Sequence, residues 1–329
     1  MGSGYQRRDD PSLAPEFAKD AAQEDFLERL NLVLAPHAEA DAVERPERLP
    51  TLHVVGSPRS GTTLMYQVIA TGLDVGYINN LMAAFWLAPG YGVSLARKLG
   101  VDRLSSGFQS AFGRTEGITE PHEFGYFWNH HLRYPDMRQR GAAHEEGIDW
   151  ARLRRTLVDM AERAGAPMTF KPMLLAWHLD AMVRHMPRTC IVWIRRPQRE
   201  TAVSLLKMRR SMFGGFERWA SLRPDVDLDH EPPWRQTAAQ VVLVERTIAA
   251  SCARLGPGHV LPVRYERLCE DPMGVLADVR ELMGRHGHAP DLRVTEMAPF
   301  TEGRNDPLDA EYGDRIDVAL AEFRERWPE

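Results

Sequence analysis

Apolar positions in this chain fall into short runs separated by longer segments of helical spacing. Residues 51–56 (Thr-Leu-His-Val-Val-Gly), 168–171, 190–195 and 259–265 are brief apolar runs bounded by turn residues, which predicts strands buried on both faces. Residues 61–73, 174–185, 198–210, 234–255 and 272–285 read as the helices between and after them. Upstream, residues 20–34 place Phe26, Leu27, Leu30 and Leu34 on one helical stripe, and residues 36–50 form a charged connector. Residues 149–164 predict a charged helix and residues 309–327 a tail helix. Residues 80–115 are rich in glycine and aromatics without a clean period, and residues 214–233 read as a loop carrying Gly214-Gly215 and Pro232-Pro233.

Strands that alternate with helices predict a three-layer α/β/α fold around a central parallel sheet. No internal repeat or strong linker interrupts the chain after residue 50. The expectation is therefore one domain over residues 51–329, preceded by a helical extension and connector over residues 1–50. In such sheets ligands bind beyond the carboxyl ends of the strands, and the chemically distinctive residues cluster there.

The first strand runs into Gly56-Ser57-Pro58-Arg59-Ser60-Gly61-Thr62-Thr63 and then a helix. This is the spacing of a P-loop-type phosphate-binding loop, in which glycines let successive N–H groups turn toward one anion and the helix N-terminus adds partial positive charge. Triphosphate-binding loops place a lysine where this chain has Thr62. Here the cation sits inside the loop as Arg59, which suits a single phosphate better than a triphosphate. Comparable strands in nucleotide triphosphatases often end in an aspartate that holds Mg²⁺. The run Cys190-Ile191-Val192-Trp193-Ile194 instead ends in Arg195-Arg196, so the site it faces calls for a second anion.

The run Pro58-Arg59-Ser60-Gly61-Thr62-Thr63-Leu64 resembles the 5′-phosphosulfate-binding loop of sulfotransferases that use 3′-phosphoadenosine 5′-phosphosulfate (PAPS). The resemblance implies that Ser57, Arg59, Ser60, Gly61, Thr62 and Thr63 hold the 5′-phosphate. Arg196 followed eight residues later by Ser204 resembles the family's 3′-phosphate motif; Arg195 stands nine residues away. Val263-Arg264-Tyr265-Glu266-Arg267-Leu268 before Asp271-Pro272 resembles a third family segment and makes Tyr265 the adenine contact. Gly303-Arg304-Asn305 resembles the closing loop in shortened form, which adds Arg304. The donor would be PAPS, the product 3′-phosphoadenosine 5′-phosphate (PAP), and no metal would be required.

Transfer of a sulfuryl group needs a base for the acceptor hydroxyl and a cation for the leaving oxygen. Thr119-Glu120-Pro121-His122-Glu123-Phe124 packs two carboxylates and an imidazole beside aromatic residues and resembles an acidic motif of bacterial relatives. Glu123 and Glu120 rank ahead of His122 as the base, and His178 is a further candidate. Lys171, at a strand end before Pro172, resembles the family's sulfuryl-assisting lysine.

Bulk composition narrows the alternatives. A net charge of -5 gives no global field for nucleic acid. Three cysteines argue against a disulfide framework and for a reducing, cytoplasmic setting. No apolar run approaches the ~18 residues of a membrane span. His130-His131 lacks metal-ligand spacing to other ligands. The expected partner is a small-molecule hydroxyl acceptor, lined by residues 81–113 and 214–233. A P-loop kinase and a non-catalytic nucleotide-binding protein are the competing readings.

Overall fold

The computed structural model describes residues 13–104, 107–108, 115–301 and 307–327. In chain order its elements are α1 (Ala21–Asp41), β1 (Thr51–Val55), α2 (Thr62–Gly72), β2 (Gly76–Tyr77), α3 (Asn80–Ala83), α4 (Pro89–Leu99), α5 (Gly125–His131), α6 (Ala142–Glu146) and α7 (Trp150–Ala164). There follow β3 (Met168–Phe170), a 3₁₀ turn (Met173–Trp177), α8 (Leu179–His185), β4 (Thr189–Arg195), α9 (Gln198–Phe213), α10 (Pro233–Leu255) and β5 (Val260–Arg264). Three helices complete the fold: α11 (Tyr265–Glu270), α12 (Pro272–Arg285) and α13 (Pro307–Arg326).

The strands form one parallel sheet in the order β2-β3-β1-β4-β5. Strand alternation sorts its side chains to two cores. Leu52 and Val54 of β1 and Cys190, Val192 and Ile194 of β4 pack with α2 and α12. The intervening Val55, Ile191 and Trp193 face the opposite core, shared with α7, α8 and α10. A third apolar cluster joins α9, α10 and α13 beyond the sheet edge. The three-layer expectation is borne out.

Four local expectations are revised. Phe26 is 57% exposed, so it leaves the stripe read for α1. The buried positions of that helix are Glu24 and Asn31. Asn31 fixes the helix on α3 and its C-terminal side by donating to the Ala84 carbonyl at 2.7 Å and accepting from the Leu87 N–H at 2.8 Å. The same helix runs through Pro36 into the segment read as a connector. Proline removes one ladder bond from an interior turn, and the Leu32 carbonyl it strands sits on a residue 56% exposed rather than in the core. Residues 80–115 contain α3 and α4 despite their irregular pattern; α4 has Pro89 in its first turn, Arg97 and Lys98 in its last and a left-handed Gly100 after it. Finally, the helix expected over residues 174–185 is a 3₁₀ turn and α8, broken at His178.

Candidate active site

The sheet order lays out the site. Along the carboxyl ends, β3 leads into Lys171, β1 into the glycine loop, β4 into Arg196 and β5 into Tyr265. Neighbouring strands lie ~4.8 Å apart, so the loop has a cation within one strand width on either side. The acidic segment is joined to the chain leaving β2: Asn79 bridges Pro121, and the His122 N–H donates to the Ile78 carbonyl at 2.8 Å.

The loop's geometry requires its glycines. A Cβ on Gly56 would stand 2.6 Å from the Ile194 carbonyl oxygen. Gly61 has a φ of 100°, and a Cβ there would stand 2.4 Å from Tyr265 Cδ2. Tyr265 therefore packs directly on the loop. Arg59 also occupies the left-handed region, with a φ of 74°. The Ser57 and Ser60 hydroxyls are buried in the loop with no hydrogen-bond partner. Gly61 gives α2 no side-chain cap, so the first N–H groups of the helix, which have no intrahelical acceptor, open toward the loop. Orphaned hydroxyls, open N–H groups and a cation fit a bound oxyanion.

Arg59 is the hub. Its Nε–H donates to Ser204 Oγ of α9 at 3.1 Å. Burial, reinforced by the Arg196 guanidinium, pushes the Arg59 pKa below the usual arginine range, while Glu123 and Tyr265 oppose that shift. One side chain thus senses α9, the end of β4, the acidic segment and the start of α11. Arg196 donates from Nε to Glu200 at 2.9 Å and lies 4.6 Å over the Tyr265 ring. Two guanidinium groups held this close favour an anion between or beside them. Ser204, expected at the opposite phosphate from Arg59, is bonded to it, so the two motifs form one continuous basic surface.

Lys171 is 3% exposed and ion-paired to Glu123. The other candidate bases have different partners. Glu120 Oε2 accepts from Gln67 Nε2 of α2 at 3.2 Å. His122 Nδ1 accepts the Phe124 N–H at 2.9 Å. His178 lies in a separate buried network, with Nδ1 2.8 Å from Glu145 Oε2 and Nε2 2.9 Å from the Tyr134 hydroxyl. Burial lowers the His178 pKa, and Glu145 opposes the shift. Arg304 lies outside the described residues. Sequence reading missed Glu200, although its i,i+4 spacing from Arg196 was a visible signal. It also missed Gln67, which carries no motif. Among the described residues, no group of three or more His, Cys, Asp or Glu could hold a metal ion, and no helix is long and apolar enough to cross a membrane.

A parallel α/β sheet with a glycine loop after its first strand, flanked at the neighbouring strand ends by a buried lysine and a half-buried arginine, defines a P-loop-type fold. Residues 50–287 match the sulfotransferase family, and the chain belongs to it. It is similar in fold to sulfotransferase STF1 from Mycobacterium tuberculosis H37Rv, with a TM-score of 0.53 at 15% identity over 92% of this chain and 86% of that one. Sulfotransferase STF9 from Mycobacterium avium gives a TM-score of 0.51 at 15% identity over 97% of this chain and 87% of that one. No curated protein matches the sequence.

Proposed function

We propose that this sulfotransferase takes its sulfuryl group from PAPS and passes it to a hydroxyl of a small-molecule acceptor in a cytoplasmic setting. The observation that carries the reading is the Arg59 contact with Ser204 beside Arg196 stacked on Tyr265. It supports one nucleotide with a phosphate at each end, the 5′ end in the loop and the 3′ end at Arg196 and Ser204. The three buried, unpaired cysteines favour a reducing compartment.

In the reaction the acceptor oxygen attacks sulfur in line with the departing 5′-phosphate oxygen. The new O–S bond forms as the S–O bond to the phosphate breaks. Glu123 takes the hydroxyl proton. Lys171, already paired with Glu123, turns its charge to the transferring group, while Arg59 and the loop N–H groups take the charge that develops on the leaving oxygen. Positioned charge of this kind supplies most of the acceleration in such transfers.

Thermal unfolding tests the donor. PAP at 100 times its Kd should stabilise the protein by about 2.7 kcal/mol, visible as a rise in Tm in the presence of EDTA. ATP should shift Tm far less. A Tm raised only by ATP with Mg²⁺ would transfer the assignment to a kinase-like reaction. PAP binding without transfer to any alcohol, sugar or phenol would leave a nucleotide-binding protein.

A further inference from the structure

On the other side of the β4 end from the glycine loop lies a cavity of about 530 Å³. Its walls come from four places: Arg195 to Gln198 from the end of β4 to the start of α9, Val242, Glu245 and Arg246 on α10, Arg264 and Glu266 flanking Tyr265, and Arg324 with Trp327 at the end of α13. Five arginines and only two glutamates contribute to its lining.

Strand geometry explains why this basic surface is separate from the loop. Ile191, Trp193 and Arg195 share the α10 face of β4. The Arg195 guanidinium lies 4.7 Å over the Trp193 ring, and its charge is felt at Cys252 of α10. Arg196 touches the cavity wall, but its guanidinium turns to Tyr265 and Glu200. Consecutive arginines thus serve opposite sides of one strand end.

The charge in the cavity is poorly compensated. Arg195 and Arg264 are register partners on adjacent parallel strands and point to the same side, which brings two like charges together beside the cavity. Glu245 accepts from Gln198 Nε2 at 2.6 Å, and Glu266 stands 3.6 Å from Arg264 Nε. Among the described residues, neither Arg195 nor Arg246 forms an ion pair with a carboxylate. The first turn of α9 opens on the same space through Pro197 and Gln198. Guanidinium groups bind oxyanions in a two-pronged geometry, and Val242 and Trp327 offer an apolar wall beside them.

We infer that this cavity is a second anion site, distinct from the donor site, that takes a small organic phosphate or sulfate monoester. Calorimetric titration of the full chain with phenyl phosphate and with inorganic phosphate tests it. The wild type should show a saturable site that persists in Arg59→Ala. Binding there should weaken at least tenfold in Arg195→Ala/Arg246→Ala and measurably in Arg246→Ala alone. Both arginines are exposed, so Tm and PAP affinity should be unchanged in these variants, which separates this site from the donor reading. Phenyl phosphate should bind more tightly than phosphate. Loss of all phosphate binding in Arg59→Ala, or undiminished binding in the double variant, would overturn the site. Equal affinity for the two probes would overturn the organic-ester assignment.

Discussion

Glu123 differs from its rivals in what it holds. It is the one candidate base paired to the buried Lys171, and at 38% side-chain exposure it can still meet an acceptor. Glu120 is engaged by a neutral amide, and His178 by groups of a different network. Glu123→Gln keeps the shape of the side chain and removes its ability to accept a proton. Turnover should fall by about 10²–10⁴, the usual contribution of a general base, while calorimetry finds PAP affinity unchanged. Glu120→Gln should cost less than tenfold by the same initial-rate assay. A reversal of that order would move the base to Glu120. The choice was not legible in sequence, because Lys171 and Glu123 stand 48 residues apart and meet only through the sheet order. Likewise, Arg59 and Ser204 were each visible as motif residues, but their contact spans 145 residues.

At the scale of elements, local chemistry was read well where it was strong and badly where tertiary anchors replaced periodicity. The loop after β1 declared itself through two glycines at fixed spacing. The start and stop signals of α4 were equally local: Pro89 in the first turn, two cations in the last and Gly100 beyond. They were hidden by aromatic residues without a period. The burial face of α1 was illegible because a polar side chain, Asn31, does the anchoring. β2 is two residues long and leaves almost no pattern. The loop supplies the prediction at this scale. Gly61→Ala must adopt a φ near 100° and displace Tyr265. Strained backbone of this type costs of order 1–3 kcal/mol. Urea unfolding should register that loss, and PAP binding should weaken because the loop and Tyr265 move together. A stable variant with normal PAP affinity would show that Tyr265 yields without consequence.

The whole molecule places Arg59, Lys171 and Arg196 at one edge of the sheet and buries imidazoles in its core. His53 sits in the middle of β1, fully buried, stacked on Phe170 at 5.4 Å and edge-on to Trp128 at 5.9 Å. Burial lowers its pKa to about 3. Burial also lowers those of His131, helped by His130, and of His178. An unfolded histidine titrates near 6.5. Below that pH the unfolded chain takes up protons that the folded chain refuses, so each buried imidazole makes folding less favourable as pH falls. For His53 the stability is fully present above about pH 6.5 and is lost progressively down to about pH 3, with a slope approaching 1.4 kcal/mol per pH unit. Replacement by valine, a good strand former of similar bulk, removes the titrating group. Urea unfolding between pH 6 and 4 should then show a shallower decline for His53→Val by about that slope, whatever offset the lost Thr51 contact introduces. Parallel curves for the two proteins would mean that His53 is charged inside the sheet or already neutral when unfolded. The folded chain keeps His53 neutral over this interval, so the PAP affinity of the folded protein should follow pH in the same way in the wild type and in His53→Val.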